Sequence, residues 1–139
     1  MRLDRVFVDT NVLISGLVFA GNEFDLLEMA RVGTIRLVLA EAVIEEARRV
    51  ISRRFPEMRD ILERFLESAD YDWVDRPDQE AIQSASVVLR DPDDAEIVAS
   101  AMLAEPTVMI TGDKDLLTGD VRRVVPACRC ADYLREKWA

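Results

Sequence analysis

Carboxylates that follow apolar runs are the residues in this sequence best suited to chemistry. Asp9 ends the run Val6–Val8, and Asp113 follows Val108–Ile110 after a short turn. Short apolar runs rich in β-branched residues predict buried strands, so both aspartates are expected at the carboxyl ends of strands. Open α/β sheets bind their ligands at that edge. The ordinary alternative for each residue is a turn aspartate, which Gly112 favours beside Asp113.

A third acid is selected by its position on a helix predicted over residues 40–54. At about 100° per residue, Glu46 falls on the margin of the apolar face, whereas Glu45 points almost directly away from it. An unpaired carboxylate is costly to bury, so Glu46 needs a partner at the edge of the core. Glu45 is interpreted as a solvated charge.

A fourth acid comes from the run 91–96, which precedes an apolar helix ending near residue 103. Asp94 shares a face with apolar residues of that helix, whereas Glu96 projects nearly opposite. Acids at 91–94 also suit a helix start, where capping and the helix dipole favour negative charge. In a different register, Asp93 competes with Asp94 for the inward position.

The pattern thus selects four acids, called the site acids below: Asp9, Glu46, Asp94 and Asp113. Clustered carboxylates repel one another and are tolerated when a cation binds among them. Oxygen ligands without histidine or thiolate favour hard ions such as Mg²⁺ or Mn²⁺. A bound metal of this kind lowers the pKa of water and stabilises charge on a phosphoryl oxygen. The site acids therefore indicate metal-dependent hydrolysis of phosphodiesters.

Composition excludes several other chemistries. The 139 residues include no histidine, which excludes Ser-His-Asp and Cys-His mechanisms and imidazole-rich metal sites. The two cysteines, Cys128 and Cys130, are too few for a structural zinc site and are interpreted as reduced packing residues. The net charge of −9 opposes nucleic-acid binding by the molecule as a whole, although a local basic strip can still serve. Without a membrane-spanning stretch or a signal pattern, the sequence predicts a cytoplasmic protein.

Alternating strands and helices must position these acids. The patterns predict one domain over residues 1–139, of α/β class, with a parallel sheet covered on both faces. The predicted strands are 6–8, 35–39, 71–74, 107–111 and 121–126. The predicted helices are 12–19, 23–32, 40–54, 58–69, 80–89, the segment ending near 103, and 131–138.

Four blocks carry a resemblance to a known family: Phe7–Gly16, Glu45–Ile51, Asp91–Ala101 and Ile110–Leu117. In this order and spacing, the sequence resembles the PIN-domain family, and within it the VapC-type toxins. The resemblance implies an α/β/α sandwich with a central parallel sheet of about five strands. It also implies an Mg²⁺- or Mn²⁺-dependent endoribonuclease whose acidic residues coincide with the site acids.

The family resemblance further implies an outer shell and binding partners. Thr10, Asn11 and Asp115 would orient metal ligands or water, with Thr111 a weaker member. Proteins of this type are toxins of type II toxin-antitoxin pairs, form homodimers and are silenced by an antitoxin. Arg48, Arg49 and Arg53 on the helix of Glu46 are candidate RNA contacts. Their alternative is a solvated face paired with nearby acids.

Three other functions compete with this interpretation. A phospho-receiver domain also has an acidic, Mg²⁺-binding edge, but no lone aspartate closes the strand 35–39, and such domains have no use for an inward glutamate in mid-helix. A phosphatase of the haloacid-dehalogenase kind needs Asp-x-Asp after the first strand, where residue 11 is Asn. A non-catalytic PIN-fold binding module remains an alternative, although a decayed site would tolerate Ala, Ser or Asn at the acidic positions.

Overall fold

The fold is centred on a sheet of five parallel strands in the order β3-β2-β1-β4-β5, as seen in a computed structural model that describes residues 2–138. The strands are β1 (Arg5–Val8), β2 (Arg36–Ala40), β3 (Tyr71–Val74), β4 (Val108–Ile110) and β5 (Ala127–Cys128). The helices are α1 (Thr10–Val18), α2 (Asn22–Arg31), α3 (Glu41–Arg54), α4 (Arg59–Ser68), α5 (Gln79–Ser86), α6 (Ala95–Ala104), α7 (Gly119–Arg122) and α8 (Cys130–Trp138). Short 3₁₀ turns at Pro56–Met58, Pro92–Asp94 and Lys114–Leu116 precede α4, α6 and α7. Within residues 2–138, no helix has both the length and the apolar character needed to cross a bilayer.

Both faces of the sheet are buried at the three central strands, β2, β1 and β4. Successive residues of a strand point to opposite faces, yet Val6, Phe7 and Val8 of β1 are all fully buried. Leu37–Ala40 in β2 are also fully buried, and in β4 Met109 and Ile110 are fully buried and Val108 is nearly so. Parallel strands read as continuous apolar runs because helices cover both of their faces. The predicted α/β class with a parallel sheet of about five strands is therefore confirmed.

The first helix begins two residues earlier than its apolar pattern predicts. Asp9 is the N-cap of α1, and its Oδ1 accepts a hydrogen bond of 3.0 Å from the backbone N–H of Val12. This bond satisfies one of the free N–H groups at the helix start, so Thr10 and Asn11 form the first turn. Asp9 therefore stabilises the start of α1 in addition to being one of the site acids.

The predicted strand over residues 121–126 is wrong. These residues form the end of α7 and a turn, and the last strand, β5, begins only at Ala127. The β-branched valines suggested a strand, but Thr118 accepts a hydrogen bond from Val121 N and starts a helical turn. Val121 and Val125, four residues apart, are then both buried, while Val124 points outward.

Gly16 lets α1 and α2 approach each other closely. A Cβ atom at this position would lie 2.5 Å from Leu27 Cδ1 and 2.9 Å from the backbone oxygen of Glu23. Because the second contact is with backbone, we expect Gly16→Ala to lower the free energy of unfolding by about 1–3 kcal/mol, as overpacking does. Urea unfolding measures the change. Gly119→Ala, where no atom lies within 4 Å of the added Cβ, is the control, and equal effects would contradict the packing explanation.

Candidate active site

The site acids gather around the point where the strand order of the sheet reverses. From β1 the chain proceeds to β2 and β3 on one side, whereas β4 and β5 lie on the other. Loops leaving β1 and β4 at their carboxyl ends therefore diverge and leave a crevice, which is where open α/β sheets bind ligands. Asp9 follows β1, and Asp113 follows β4 across that crevice.

Thr111 links these two strand ends. Its hydroxyl donates a hydrogen bond to Asp9 Oδ2 and accepts one of 3.0 Å from the backbone N–H of Asp113. Both Thr111 and Asp9 are buried. Burial raises the pKa of Asp9, and the nearby charges of Asp113 and Glu46 raise it further. The hydrogen bonds from Thr111 and Val12 oppose this rise by stabilising the ionised form.

Asp94 carries the clearest sign of crowded negative charge. Its pKa is raised to about 6, first by partial burial and then by the charges of Asp113, Asp91, Asp115 and Glu46. All of these neighbours are carboxylates, so the crevice concentrates negative charge. Asp93, the competing residue in the other register, is exposed. The structure therefore favours Asp94 as the inward acid.

Glu46 and Glu45 have different surroundings, as the helix pattern indicates. Glu46 is half-buried and close enough to Asp9 and Asp94 to raise the pKa of both. Glu45 faces the other way and pairs with Arg76. It is half-buried in this ion pair and is not the freely solvated charge that the sequence suggests.

Arg76 is a residue that the sequence reasoning missed. It lies in the turn after β3, and its guanidinium approaches Glu41 and Glu45 of α3 and Glu96 of α6. Glu96 Oε1 is buried, and its distance to Arg76 is 3.3 Å, although the geometry is not that of a hydrogen bond. Arg76 thus joins α3, which carries Glu46, to α6, which begins directly after Asp94. Like Asp9, Arg76 follows the carboxyl end of a strand, and this position after β3 is the signal in the sequence that could have identified it.

The other outer-shell candidates have unequal positions. Thr10 is buried, and its hydroxyl oxygen has no hydrogen-bond partner within residues 2–138. Asn11 is exposed on α1. The backbone N–H of Asp115 donates a hydrogen bond to Asp113 Oδ1, and the carboxylate of Asp115 lies 4.0 Å from the guanidinium of Arg90. Thr111, the weakest candidate in the sequence, has the most direct contact with a site acid.

Asp72, near the amino ends of β1 and β2, is an example of a carboxylate whose charge is neutralised by arginines. Asp72 lies between Arg5 and Arg36, 2.9 Å from each Nε, and these partners lower its pKa. Among residues 2–138, no comparable arginine pair lies beside Asp94, whose pKa is raised and not lowered. An oxygen-only, negatively charged donor set of this kind fits a hard divalent cation. As the side chains stand, no three acidic or thiol groups of residues 2–138 converge closely enough to coordinate one ion.

The three arginines considered for RNA binding also differ. Arg48 forms two hydrogen bonds with Glu63 of α4, at 2.9 and 3.1 Å. Arg49 and Arg53 are exposed and form no ion pair within residues 2–138. The proposed solvated face of paired charges therefore applies to Arg48 and not to the other two.

A partly apolar cavity lies away from the acids. It has a volume of about 400 Å³ and opens between α1, α2 and α4. Apolar side chains, among them Leu17, Phe24 and Phe65, form much of its wall, and none of the site acids contributes. The site acids lie instead around the carboxyl ends of β1 and β4, outside this cavity.

Stability should depend on pH through Asp94. Its pKa in the folded protein, about 6, exceeds the ordinary value of 3.8, so between these values the folded state binds more protons than the unfolded chain. The free energy of unfolding of the metal-free protein should therefore fall as pH rises through this window. Asp94→Asn should be more stable than the wild type at pH 7 and lose this part of the pH dependence.

Urea unfolding in EDTA at pH values from 4 to 7 measures the difference between the two proteins. Asp93→Asn, an exposed neighbour, is the control. A parallel pH dependence of wild type and Asp94→Asn would show that Asp94 is not destabilised by its neighbours.

Comparisons with known proteins concern the family and the fold of the chain. The sequence model of the PIN domain matches residues 5–115. No curated protein sequence matches the chain. The solved structures that share the fold include VapBC2 from Rickettsia felis bound to a promoter DNA fragment, PAE2754 from Pyrobaculum aerophilum, and FitAcB from Neisseria gonorrhoeae.

The three structures match nearly the full length of the chain at low sequence identity. VapBC2 is 13% identical with a TM-score of 0.64, covering 90% of this chain and 98% of its own. PAE2754 is 13% identical with a TM-score of 0.66, and the coverages are 96% and 94%. FitAcB is 16% identical with a TM-score of 0.61, and the coverages are 91% and 98%. These structures share the fold of the chain, and the sequence-model match over residues 5–115 shows that this chain belongs to the PIN-domain family.

Proposed function

We propose that this protein is a metal-dependent endoribonuclease and the toxin of a toxin-antitoxin pair. The observation that carries the proposal is the crowding of carboxylates at the reversal point of the sheet, where partial burial and then the charges of four neighbouring carboxylates raise the pKa of Asp94 to about 6. Mg²⁺ or Mn²⁺ would be held by the site acids and would supply an activated water and charge stabilisation at the phosphoryl group. Membership in the PIN-domain family supports nuclease chemistry of this kind.

The chain's own residues prepare this site. Asp9 is held in place by α1, whose Val12 N–H it caps, and by the hydroxyl of Thr111. The bond from Thr111 to Asp9 joins the carboxyl ends of β4 and β1, and because Thr111 also accepts from Asp113 N, it holds the loop of Asp113 beside Asp9. Such pre-positioning is what a metal site requires of its outer shell. The unpartnered hydroxyl oxygen of Thr10 adds a polar group beside Asp9.

Removal of divalent metal should abolish activity. The purified protein is expected to cleave single-stranded or structured RNA with Mg²⁺ or Mn²⁺ and to lose cleavage in EDTA, because the crowded carboxylates need a cation. Gel analysis of labelled RNA measures this, with re-addition of Mn²⁺ as the control for irreversible damage. Undiminished cleavage in chelator would contradict metal dependence. Failure to cleave any RNA with either metal would favour the non-catalytic binding module.

The toxin assignment implies a homodimer and a protein antitoxin. The structural neighbours VapBC2 and FitAcB support the antitoxin partner. The apolar cavity between α1, α2 and α4 is a suitable docking site for a partner helix, since exposed Phe24 lines it and Arg31 and Arg64 stand beside it. Co-expression with the product of an adjacent small reading frame should yield a complex that suppresses cleavage. A product that neither copurifies nor inhibits would remove the toxin assignment.

A further inference from the structure

Two helices leave the acidic crevice side by side. α1 follows β1 and α3 follows β2, and these strands are parallel neighbours. The ends of both helices also meet, because the ring of Phe19 packs edge-on against that of Phe55, with centroids 5.7 Å apart. The two helices therefore run in the same direction, from the site acids towards this aromatic pair.

On α3, unpaired positive charge is aligned with Glu46. Arg53 lies seven residues after Glu46, which places it within about 20° of the same helix face and about 10 Å further along the axis. Arg49 lies between them, about 60° from Glu46. Neither arginine forms an ion pair within residues 2–138, in a chain whose net charge is −9. Unneutralised guanidinium groups beside an acidic site are suited to phosphates.

On α1, accessible side chains form a matching row. Asn11, Ser15 and Phe19 are spaced four residues apart, so they lie on one side of the helix, and none of them is buried. Phe19 is 54% exposed, and its edge-on contact with Phe55 fixes its position while leaving aromatic surface open. By the helical rise, Phe19 lies about 15 Å from Asp9.

We propose that this surface is a track for single-stranded RNA that leads away from the site acids. Phe19 stacks on an unpaired base, Arg49 and Arg53 bind backbone phosphates, and Asn11 and Ser15 lie along the path between. Single-stranded nucleic acids are bound through this combination of aromatic stacking and positive charge. The proposal rests on RNA being the substrate and names the residues that hold it. Arg48 lies outside the track because Glu63 engages it.

The test measures binding without cleavage. A short, unstructured single-stranded RNA of mixed sequence, labelled with fluorescein, is titrated with the full-length protein in EDTA. Phe19→Ala should weaken binding about tenfold or more, and Phe19→Trp should retain it, since base stacking depends on an aromatic surface. Arg53→Gln should weaken binding and reduce the dependence of log K on log salt by about 0.7, the value for one lost phosphate contact.

Two matched controls accompany these variants. Arg48→Gln changes the same residue type on the same helix, and Leu103→Ala shortens a side chain on α6 that is 58% exposed. Both should bind RNA as the wild type does. The track is overturned if the wild type does not bind, if Phe19→Ala and Arg53→Gln bind normally, or if Arg48→Gln has an equal effect. It is also overturned if Phe19→Ala only converts a dimer to a monomer, which would make this face an interface between copies.

Binding and cleavage also separate the two proposals. The expected binding pattern without cleavage in Mg²⁺ or Mn²⁺ would support the track and contradict the nuclease. Metal-dependent cleavage by a protein whose track variants bind normally would contradict the track and leave the nuclease in place.

Discussion

Glu46→Gln should reduce RNA cleavage by about 100-fold or more while leaving the fold intact. Glu46 is half-buried beside Asp9 and Asp94, and its carboxylate is one of the proposed metal ligands. Outer-shell partners of metal ligands are each worth about 10- to 100-fold in activity or metal affinity, so a ligand itself should reach or exceed the upper value. Initial rates of cleavage at saturating Mn²⁺ measure the loss. Circular dichroism and thermal melting check the fold.

Glu45→Gln is the matched control for Glu46→Gln. The two glutamates are neighbours on α3, but Glu45 pairs with Arg76 on the other side of the helix. Its side chain is 40% exposed, and exposed ion pairs contribute less than about 1 kcal/mol to stability. Cleavage by Glu45→Gln should stay within a few-fold of the wild type. Equal losses in the two variants would mean that Glu46 has no special place in the site.

Thr111→Val should weaken metal binding and cleavage by about 10- to 100-fold, the range for an outer-shell residue. The substitution removes the hydroxyl that donates to the buried Asp9 carboxylate, so the pKa of Asp9 should rise further and oppose metal binding. Protein stability at neutral pH should fall by about 1–3 kcal/mol, because a buried charged group loses its partner.

Thr111→Ser separates the hydroxyl from the shape of the side chain. Serine keeps a donor for Asp9 and an acceptor for Asp113 N, so it should restore much of the metal affinity. The increase in melting temperature with added Mg²⁺ reports metal binding independently of cleavage. If Thr111→Val and Thr111→Ser shift the metal response equally, the hydroxyl does not position Asp9.

Much of the fold and the identities of the candidate acids could be predicted from local sequence patterns. The apolar run before Asp9 and the runs in β2 and β4 identify buried strands, since both faces of a parallel sheet are covered. The helical period alone distinguishes Glu46 from Glu45, and the structure gives these residues different neighbours. The wrong prediction of a strand over residues 121–126 has a local cause. β-branched residues favour a strand, but the N-cap Thr118 stabilises a helical turn instead.

Contacts between distant segments were decided only by the tertiary structure. Thr111 and Asp9 are 102 residues apart, and they meet because β1 and β4 are neighbours in the sheet. Arg76 joins α3 to α6, and the sequence gives no register for that contact. The same applies to Phe19 and Phe55, whose contact depends on α1 and α3 running side by side. Periodicity determines which side of an element faces inward, but the order of the strands determines which inward residues meet.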